Sequence, residues 1–535
     1  MKSLLLGDRA DFYGDKALYI ALSRSGIMHI VAVSGMHIAF LVGFVQLLFG
    51  KTRKSSVFCI ALIWGFTALA GFPFSAVRAA IMQTILLLAP ILKRETDSVR
   101  SLLAAFVLIE IIWPKAILDT GFQLSFGAMA GLLLFSGRIY EKLHSDSRLV
   151  QYFAGILASS LSCMVFTVPL SAWHFGSIQI LSPLTNLLVL PFVTLCFCGG
   201  WISVLLGFIL KPLGAFAAVP VSYVAKYIIG MAKLVTRIPF ACLYTKNSLA
   251  LVWVVLVYLL VILALWKKWK WTVPCGISVA LLAMLLVGTK LFYNAVPGVF
   301  SVIDVGQGQS IAVMQGNKTV MVDCGGDYKA GSNAGEYLRS CGRRDVDILL
   351  LTHLHSDHMN GVETLLQYIK VHEIVIPKYG DNNPDYLNKI KSLCSEYGIV
   401  FTEVGIDSYA DIGGIHIGMF APFYAESANE ACLMNVVSIG DYDMLVTGDA
   451  GISQEKSLIE THEIKNIDLL IVGHHGSKNS SGNEFLESIG ARTAVISVGE
   501  NDYGHPTVDA LNRLKAAGYE IKRTDQLGTV ELILK

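Results

Sequence analysis

Charged residues are scarce in this chain, and acidic residues are missing from a long stretch of it. Asp, Glu, Lys and Arg make up 16% of the 535 residues, whereas 54% are hydrophobic. Soluble domains carry about 25% charged residues. No acidic residue lies between Asp146 and Asp304. This composition excludes a disordered chain, a collagen, a coiled coil and a small disulfide scaffold. It favours a protein that lies partly in a lipid bilayer.

The net charge of +1 conceals two halves of opposite sign. Residues 1–298 carry 24 Lys and Arg against 9 Asp and Glu, which gives +15. Residues 299–535 carry 18 against 32, which gives −14. We therefore predict a helical membrane domain over 1–298 and a soluble domain over 299–535.

The first half contains repeated apolar stretches of the length that crosses a bilayer as a helix. Lys and Arg fall mainly in alternate loops, 13 in one set and 3 in the other. Because basic loops stay in the cytoplasm, this asymmetry predicts that everything after about residue 295 lies outside it. The ten predicted spans are 27–50, 55–72, 74–92, 101–114, 117–136, 151–173, 183–210, 213–236, 247–266 and 271–293.

Several polar side chains fall in or beside these spans. Ionisable groups at membrane depth are costly, and they usually face a pore or a partner. We favour a polar path through the helices, because a lone Arg cannot be neutralised. The alternative is that the histidines only bridge neighbouring helices. The candidate path residues are His29, Ser34, His37, Arg78 and Gln123.

The second half changes to short β-branched runs separated by turn residues, followed by alternating strands and helices. This order predicts sheets covered by helices. The predicted strands are 299–305, 311–314, 319–322, 348–351, 373–376, 400–404, 435–439, 443–447, 468–472, 493–498 and 529–534.

A cluster of histidines directly follows the predicted strand 348–351. His353, His355, Asp357 and His358 lie within six residues, in a chain that has only 13 histidines. Imidazole and carboxylate ligands suit zinc or manganese. Alternate residues of an extended segment point to one side, so His353 and His355 serve one ion. Asp357 and His358 then serve a second, neighbouring ion.

Two later strand ends supply the remaining ligands. Asp449 follows the predicted strand 443–447 and is expected to bridge the two ions. His474 and His475 follow the strand 468–472; either can ligate, and we prefer His474. His505 is expected to touch the substrate or complete the site, and a purely structural turn histidine is the alternative. With two zinc or manganese ions, Asp357 orients the attacking water.

Both halves resemble one known family. The first resembles the competence domain of the bacterial ComEC-type DNA-uptake proteins. The second resembles that family's metallo-β-lactamase-like domain. The residues that carry the likeness are Gly7-Asp8-Arg9, 26–38, Arg78-Ala79, 122–126, 304–308, Asp323, 353–358, Thr447-Gly448-Asp449, 474–477 and 503–506.

The resemblance implies a four-layer αββα sandwich for 299–535. It also implies a multi-pass channel in the bacterial cytoplasmic membrane that passes single-stranded DNA inward during transformation. An outer nuclease domain would degrade the other strand. The resemblance also implies a DNA receptor and a cytoplasmic translocation ATPase as partners. The sequence itself contains no nucleotide-binding loop. Self-association into a homo-oligomer is left open.

The chain departs from the family in three places. The resemblance begins at about residue 4, so we expect the usual N-terminal portion to be missing. Gln309 stands where an acid is usual, and Asn435 stands where many of these hydrolases have a histidine. We therefore keep two alternatives to a channel with a nuclease: a membrane-anchored phosphodiesterase of envelope substrates, and a channel with a non-catalytic outer domain.

Overall fold

A computed structural model describes residues 15–143, 145–238, 241–245, 248–327, 329–378, 384–421, 429 and 431–535. The chain divides into two compact units, Met1–Lys270 and Trp271–Lys535. Gly7-Asp8-Arg9 lies outside the described residues.

The described part of the first unit is almost entirely helical, and each of the first nine predicted spans contains a helix. Two short strands, β1 (Ser177–Gln179) and β2 (Cys242–Tyr244), pair antiparallel. The helices are Lys16–Arg24, Gly35–Phe49, Arg53–Leu69, Phe74–Ile91, Ser98–Ile112, Thr120–Leu143, Arg148–Phe175, Ser182–Ile209, Lys211–Thr236 and Ser248–Trp266, with 3₁₀ turns at Met28–Ile30 and Ala116–Leu118.

Six helices in the described residues combine the length and the apolar composition needed to cross a bilayer. No more than half of any of their apolar windows is buried inside the protein, so much of the apolar surface is left to face lipid. The six are Phe74–Ile91, Thr120–Leu143, Arg148–Phe175, Ser182–Ile209, Lys211–Thr236 and Thr272–Ala295. The chain is therefore a multi-pass membrane protein.

Three of the few acidic residues in the first half begin helices. Asp15 accepts a hydrogen bond from the Leu18 amide at 3.0 Å. Asp97 accepts from two amides at the start of Ser98–Ile112, and Asp119 accepts from the Phe122 amide at 2.8 Å. A carboxylate at this position satisfies an amide that has no partner inside the helix and also suits the helix dipole.

The helix Thr272–Ala295 belongs to the second unit and is fastened to its sheet. The Tyr293 hydroxyl donates to Glu531 at 2.8 Å. Arg343 donates to the Tyr293 carbonyl at 3.0 Å. These bonds join the end of the helix to the soluble fold without a flexible linker.

Two seven-stranded sheets form the second unit. Their orders are β16-β3-β4-β5-β6-β7-β8 and β15-β14-β13-β12-β11-β10-β9. The strands are β3 (Val299–Val302), β4 (Ser310–Gln315), β5 (Lys318–Cys324), β6 (Asp345–Leu350), β7 (Lys370–Pro377), β8 (Val400–Val404), β9 (Ser408–Ile412), β10 (Ile415–Phe420), β11 (Met434–Ile439), β12 (Tyr442–Val446), β13 (Leu469–Ile471), β14 (Thr493–Ile496), β15 (Glu520–Arg523) and β16 (Val530–Ile533).

Each sheet begins with antiparallel hairpins and continues with parallel strands, from β5 to β8 in the first and from β12 to β15 in the second. Buried side chains of both sheets meet in one core that includes Phe300, Val313 and Val437. Separate cores lie under the outer helices. Those helices are Ala330–Ser340, Ser356–Met359, Val362–Leu365, Pro384–Tyr397, Ile452–Thr461, Asn483–Ile489, Val508–Ala516 and Thr524–Leu527. The predicted αββα sandwich is confirmed.

Candidate functional site

The predicted metal ligands follow the carboxyl ends of strands from both sheets. His353 and His355 come after β6 of the first sheet. Asp449 comes after β12 and His475 after β13, which are neighbouring parallel strands of the second sheet. Carboxyl ends of parallel strands share one edge, and loops at that edge commonly hold ligands.

The structure brings these side chains into two donor groups that share Asp449. One group contains His353, His355 and Asp449; the other contains Asp357, His358, Asp449 and His475. The donor atoms within each group lie within 4.8 Å of one another. A carboxylate between two groups of donors can bridge two cations, whose separation in such centres is about 3.5–4 Å.

His475, rather than the preferred His474, joins the second donor group. The His475 imidazole is 3% exposed, and its Nδ1 donates to the Ser497 carbonyl at 2.8 Å. That bond directs Nε2 toward Asp357, 3.4 Å away. His474 keeps its Nε2 3.7 Å from Asp449 but has a 31% exposed side chain. Both histidines have left-handed backbone, with φ of 49° and 53°.

Several buried donor atoms of these groups have no hydrogen-bond partner among the described residues: His358 Nε2, His475 Nε2 and Asp449 Oδ1. His358 Nε2 and Asp449 Oδ1 lie 3.1 Å apart without alignment for a hydrogen bond. Buried polar atoms are normally paired. Nitrogen and carboxylate oxygen donors that converge without partners therefore suit divalent metal ions.

A buried carboxylate behind the donor groups fixes their orientation. Asp323 is fully buried and accepts from the Thr352 amide at 2.7 Å and the Thr352 hydroxyl at 2.8 Å. Its Oδ2 lies 2.7 Å from His358 Nδ1. A carboxylate on one ring nitrogen holds the other nitrogen toward a metal, as carboxylate–histidine–metal triads do. Asp323 entered through the family resemblance, whereas Thr352 was not predicted to have a role.

The electrostatics of the site differ between its histidines. Burial and the neighbouring His358 hold the pKa of His353 well below its usual range, so His353 is neutral and ready to ligate. Burial opposes protonation of His358, but Asp449 and Asp323 raise its pKa well above the ordinary value. Burial also opposes ionisation of Asp449, yet His358 and the other histidines hold its pKa well below its usual range.

Two further residues lie beside the donor groups. The Cys432 thiol is 3.4 Å from His353 Nδ1 and accepts from the Asp449 amide at 3.2 Å. It lies 79 residues from His353 in the chain, and no local motif pointed to it. Asn435 is buried and donates to the Leu433 carbonyl at 2.7 Å. Its Oδ1 has no partner among the described residues.

Gln309 occupies the position of the usual acid and contributes a hydrogen bond to the site. It is 2% exposed, and its Nε2 donates to Asp323 at 2.8 Å. We expect Gln309→Glu to place two carboxylates in contact, one of which must hold a proton. Stability should fall by about 2 kcal/mol, because a hydrogen bond to a charged group is lost.

The pH dependence distinguishes this effect from simple misfolding. Because burial and the neighbouring charge raise the pKa of the new acid, its penalty should grow as the pH rises from 5.5 to 8.5. Thermal melting across this range measures it. Gln307→Glu adds the same charge in the same loop but keeps an acceptor for the Gly499 amide. Equal melting of the two variants at every pH would contradict the assigned role.

His505 faces His474 of the adjacent pair His474 and His475. Its ring centroid lies 5.6 Å from that of His474, in an edge-on arrangement. Its Nδ1 is buried without a partner among the described residues. Burial and the neighbouring His474 lower its pKa, which favours the neutral imidazole. The ring thus borders the site without belonging to either donor group.

The buried Glu455 holds the loop that follows His474 and His475. Glu455 accepts from the Ser481 amide at 2.7 Å and the Gly482 amide at 3.0 Å. Burial raises its pKa to about 7. The folded protein then holds a proton that the unfolded chain releases above its ordinary pKa, so Glu455 stabilises the fold less as the pH rises toward 7.

We therefore expect Glu455→Gln to remove part of the pH dependence of stability. Between pH 4.5 and 8, the free energy of unfolding should fall by roughly 3 kcal/mol more in the wild-type protein than in the variant, at about 1.4 kcal/mol for each pKa unit. Melting temperatures of the purified full chain in detergent across this range provide the measurement. Glu487→Gln, at an exposed position of the neighbouring helix, should follow wild type. Parallel curves for wild type and Glu455→Gln would refute the assignment.

The candidate membrane-path residues do not form one group. Ser34, His37 and Arg78 lie near one helix start, whereas Gln123 and His29 lie elsewhere. His29 lies exposed in the turn Met28–Ile30. Ser34 and His37 meet at the start of Gly35–Phe49, where the Ser34 amide donates to His37 Nδ1 at 3.2 Å. Arg78 is 8% exposed. Gln123 is bonded elsewhere: its Oε1 lies 2.6 Å from His174 Nε2.

Comparison with known proteins identifies the class first. The family model of the metallo-beta-lactamase superfamily matches residues 303–500, in agreement with the sandwich and its strand-end donor groups. The model of the competence protein matches residues 4–296, which is more than half of the chain. The chain therefore belongs to the competence protein family.

Curated relatives extend over nearly the whole chain. ComE operon protein 3 of Bacillus subtilis is 27% identical over 99% of this chain and 70% of its own length. Competence protein ComA of Neisseria gonorrhoeae is 26% identical over 99% of this chain and 74% of its own length. Recombination protein 2 of Haemophilus influenzae is 23% identical over 99% and 71%, respectively.

Proposed function

We propose that this protein is a DNA-uptake channel of natural transformation that carries a metal-dependent phosphodiesterase domain. Full-length similarity to competence proteins supports the uptake role. The observation that carries the enzymatic part is the pair of donor groups that share Asp449. The passage of single-stranded DNA and cleavage of the other strand are parts of this proposal.

Each donor group is suited to hold one divalent ion, zinc or manganese. His353 and His355 would hold the first ion, and Asp357, His358 and His475 the second. Bound divalent ions lower the pKa of a bound water and stabilise negative charge on phosphate oxygens. Because nitrogen and carboxylate donors form the whole centre, the reaction needs no Ser or Cys nucleophile.

The protein side chains around the ions orient the reactants. Burial opposes ionisation of Asp357, but the neighbouring imidazoles of His475 and His358 hold its pKa well below its usual range. Asp357 therefore remains an acceptor at neutral pH and can align the attacking water. His505 and His474 stand at the rim of the donor groups, where their imidazoles can contact the substrate.

We further propose that the second domain, from about residue 299, lies outside the cytoplasm. Loop charges support this orientation, since 13 basic residues fall in one set of loops and 3 in the other. The membrane domain would then extend through residue 298. A DNA receptor outside and a translocation ATPase inside would be its partners, and self-association is an additional proposal.

One observation favours a different substrate for the enzymatic domain. Residues 299–535 carry a net charge of −14, which repels a long phosphate backbone. A membrane-anchored phosphodiesterase acting on envelope substrates would need fewer basic contacts. The alternative of a non-catalytic outer domain requires that the donor groups bind no metal.

The test uses the purified full chain in detergent, loaded with manganese or zinc and analysed for metal content. We expect about two ions per chain and cleavage of single- or double-stranded DNA that Asp357→Asn abolishes. Asp385→Asn, which neutralises an exposed acid of the same domain, should behave as wild type. Metal with turnover of envelope phosphodiesters alone would favour the second candidate. Folded protein that binds no metal would overturn the proposed enzymatic activity.

A further inference from the structure

Arg78 is a buried cation in the first unit. It is 8% exposed, and in the described part of the chain its Nε has no hydrogen-bond partner. Its Nη1 lies 3.9 Å from the Met82 sulfur. Among the residues that the structure describes, no carboxylate lies within ion-pair distance of it. Because Arg stays charged even when buried, an unpaired guanidinium here carries a high free-energy cost unless an anion binds to it.

The guanidinium lies against the first residue of a neighbouring helix. A Cβ placed on Gly35, which begins Gly35–Phe49, would sit 3.0 Å from Arg78 Nη2. The first amides of an α-helix have no acceptor inside the helix, and the helix dipole adds positive potential there. The absence of a side chain at Gly35 therefore lets the guanidinium lie against this helix start. The Ser34 and His37 amides already have acceptors, which leaves the amides of Gly35 and Met36 for a ligand.

A second helix begins beside the same turn. Ser75, in the first turn of Phe74–Ile91, donates its hydroxyl to the Val33 carbonyl at 2.7 Å. Arg78 stands one turn further along this helix, and helical side chains lean toward the N-terminal end. The bond from Ser75 thus holds the two helix starts side by side, with the guanidinium of Arg78 against Gly35.

We propose that Arg78 and the start of Gly35–Phe49 form a binding site for one phosphodiester group of a nucleic-acid strand. A helix start and a guanidinium are donors that bind phosphate oxygens in proteins. Ser34 and Gly35 are only half-buried, so a ligand can reach the turn. The identity of the ligand rests on the proposed DNA-uptake function, whereas the anion site itself does not.

The surroundings of Arg78 favour a strand inside the protein over a lipid headgroup. All seven residues 76–82 are buried, so this part of the helix is covered by protein on every side. A lipid phosphate would approach from the outer surface of the helical unit. An isolated phosphate site of this kind can grip a backbone without reading its bases.

The experiment measures ligand-dependent melting of the full chain in non-ionic detergent with a metal chelator, so that the metal centre does not contribute. The probes are oligothymidylate and inorganic phosphate at constant ionic strength. A ligand that binds the folded state raises the melting temperature in proportion to its affinity. We expect Arg78→Met to weaken the affinity roughly 10- to 100-fold, as loss of a charged hydrogen bond does.

Matched variants separate the site from general effects. Arg138→Met removes an exposed Arg of the same unit and should respond as wild type. Gly35→Ala should weaken binding, because its Cβ displaces the guanidinium. Gly43→Ala, in the same helix, meets nothing within 4 Å and should not. Without ligand, Arg78→Met should melt no lower than wild type, whereas a structural role would lower its melting temperature.

Equal ligand responses in wild type, Arg78→Met and Gly35→Ala would overturn the proposal. Melting that depends on Arg78 in nanodiscs with anionic phospholipid, but not with oligothymidylate, would overturn the assignment to nucleic acid. DNA uptake in cells is scored separately. If wild-type protein supports no uptake, the proposed function fails while the melting data still report the anion site. Normal uptake and ligand response by Arg78→Met would leave the function standing and refute the site.

Discussion

Asp449→Asn is expected to reduce metal-dependent hydrolysis roughly a thousand-fold or more, the loss that follows removal of one member of a jointly acting set. Asp449 is the one residue common to both donor groups. Its Oδ1 lies 3.1 Å from His358 Nε2, and its Oδ2 lies 3.8 Å from His353 Nε2. An amide of the same shape offers one oxygen and no charge, so it cannot serve both groups. Elemental analysis should show the bound metal falling from about two ions to one or none.

Asp441→Asn is the matched control for this prediction. Asp441 is an exposed carboxylate in the turn that precedes β12, whereas Asp449 follows the strand, and its replacement makes the same change of charge. Metal content and turnover should stay at wild-type values. Wild-type metal content and turnover in both variants would contradict this prediction. Asp449 would then not connect the two donor groups, and the two-ion mechanism would be wrong.

The short, apolar inner strands predicted sheets covered by helices, and the family resemblance added the four-layer sandwich. The strand pattern missed three strands. β9 and β15 form the two edges of the second sheet. β15 contains Glu520, Lys522 and Arg523, and charged edge strands are how proteins avoid pairing with other chains. Such strands lack the apolar alternation that reveals inner strands. β10 was missed because its Gly and His interrupt a pattern that buries every second residue.

The sequence predicted that the donor groups would lie together, whereas their detailed geometry could not be predicted from it. The histidine cluster and Asp449 each follow an apolar strand, and that local pattern is sufficient to place them at one edge. The choice between His474 and His475 depends on the Ser497 carbonyl, which lies 22 residues away in the chain. The Arg78 environment likewise depends on contacts between helices that begin about 40 residues apart. Neither feature can be predicted from the local sequence.

Asp323→Ala is expected to destabilise the protein by about 3–5 kcal/mol, the cost of breaking a buried charged network by removing one partner. The change would leave the Thr352 amide, the Gln309 amide and His358 Nδ1 without their shared acceptor. Buried donors that lose a partner keep the full cost of desolvation. His358 would also lose the bond that directs its other nitrogen, so metal affinity should fall about 10- to 100-fold.

Asp347→Ala separates this network from carboxylates in general. Asp347 lies on β6 and is also held by two bonds, from Lys318 at 2.7 Å and from the Thr319 amide at 3.0 Å. Its ion pair with Lys318 is partly exposed to solvent, so its loss should cost about 1 kcal/mol and leave the metal content unchanged. Chemical and thermal unfolding of the full chain, with metal titrations on each variant, measure both effects. Equal metal affinity in the two variants would mean that His358 needs no carboxylate behind it, and the donor group would be organised by Asp449 alone.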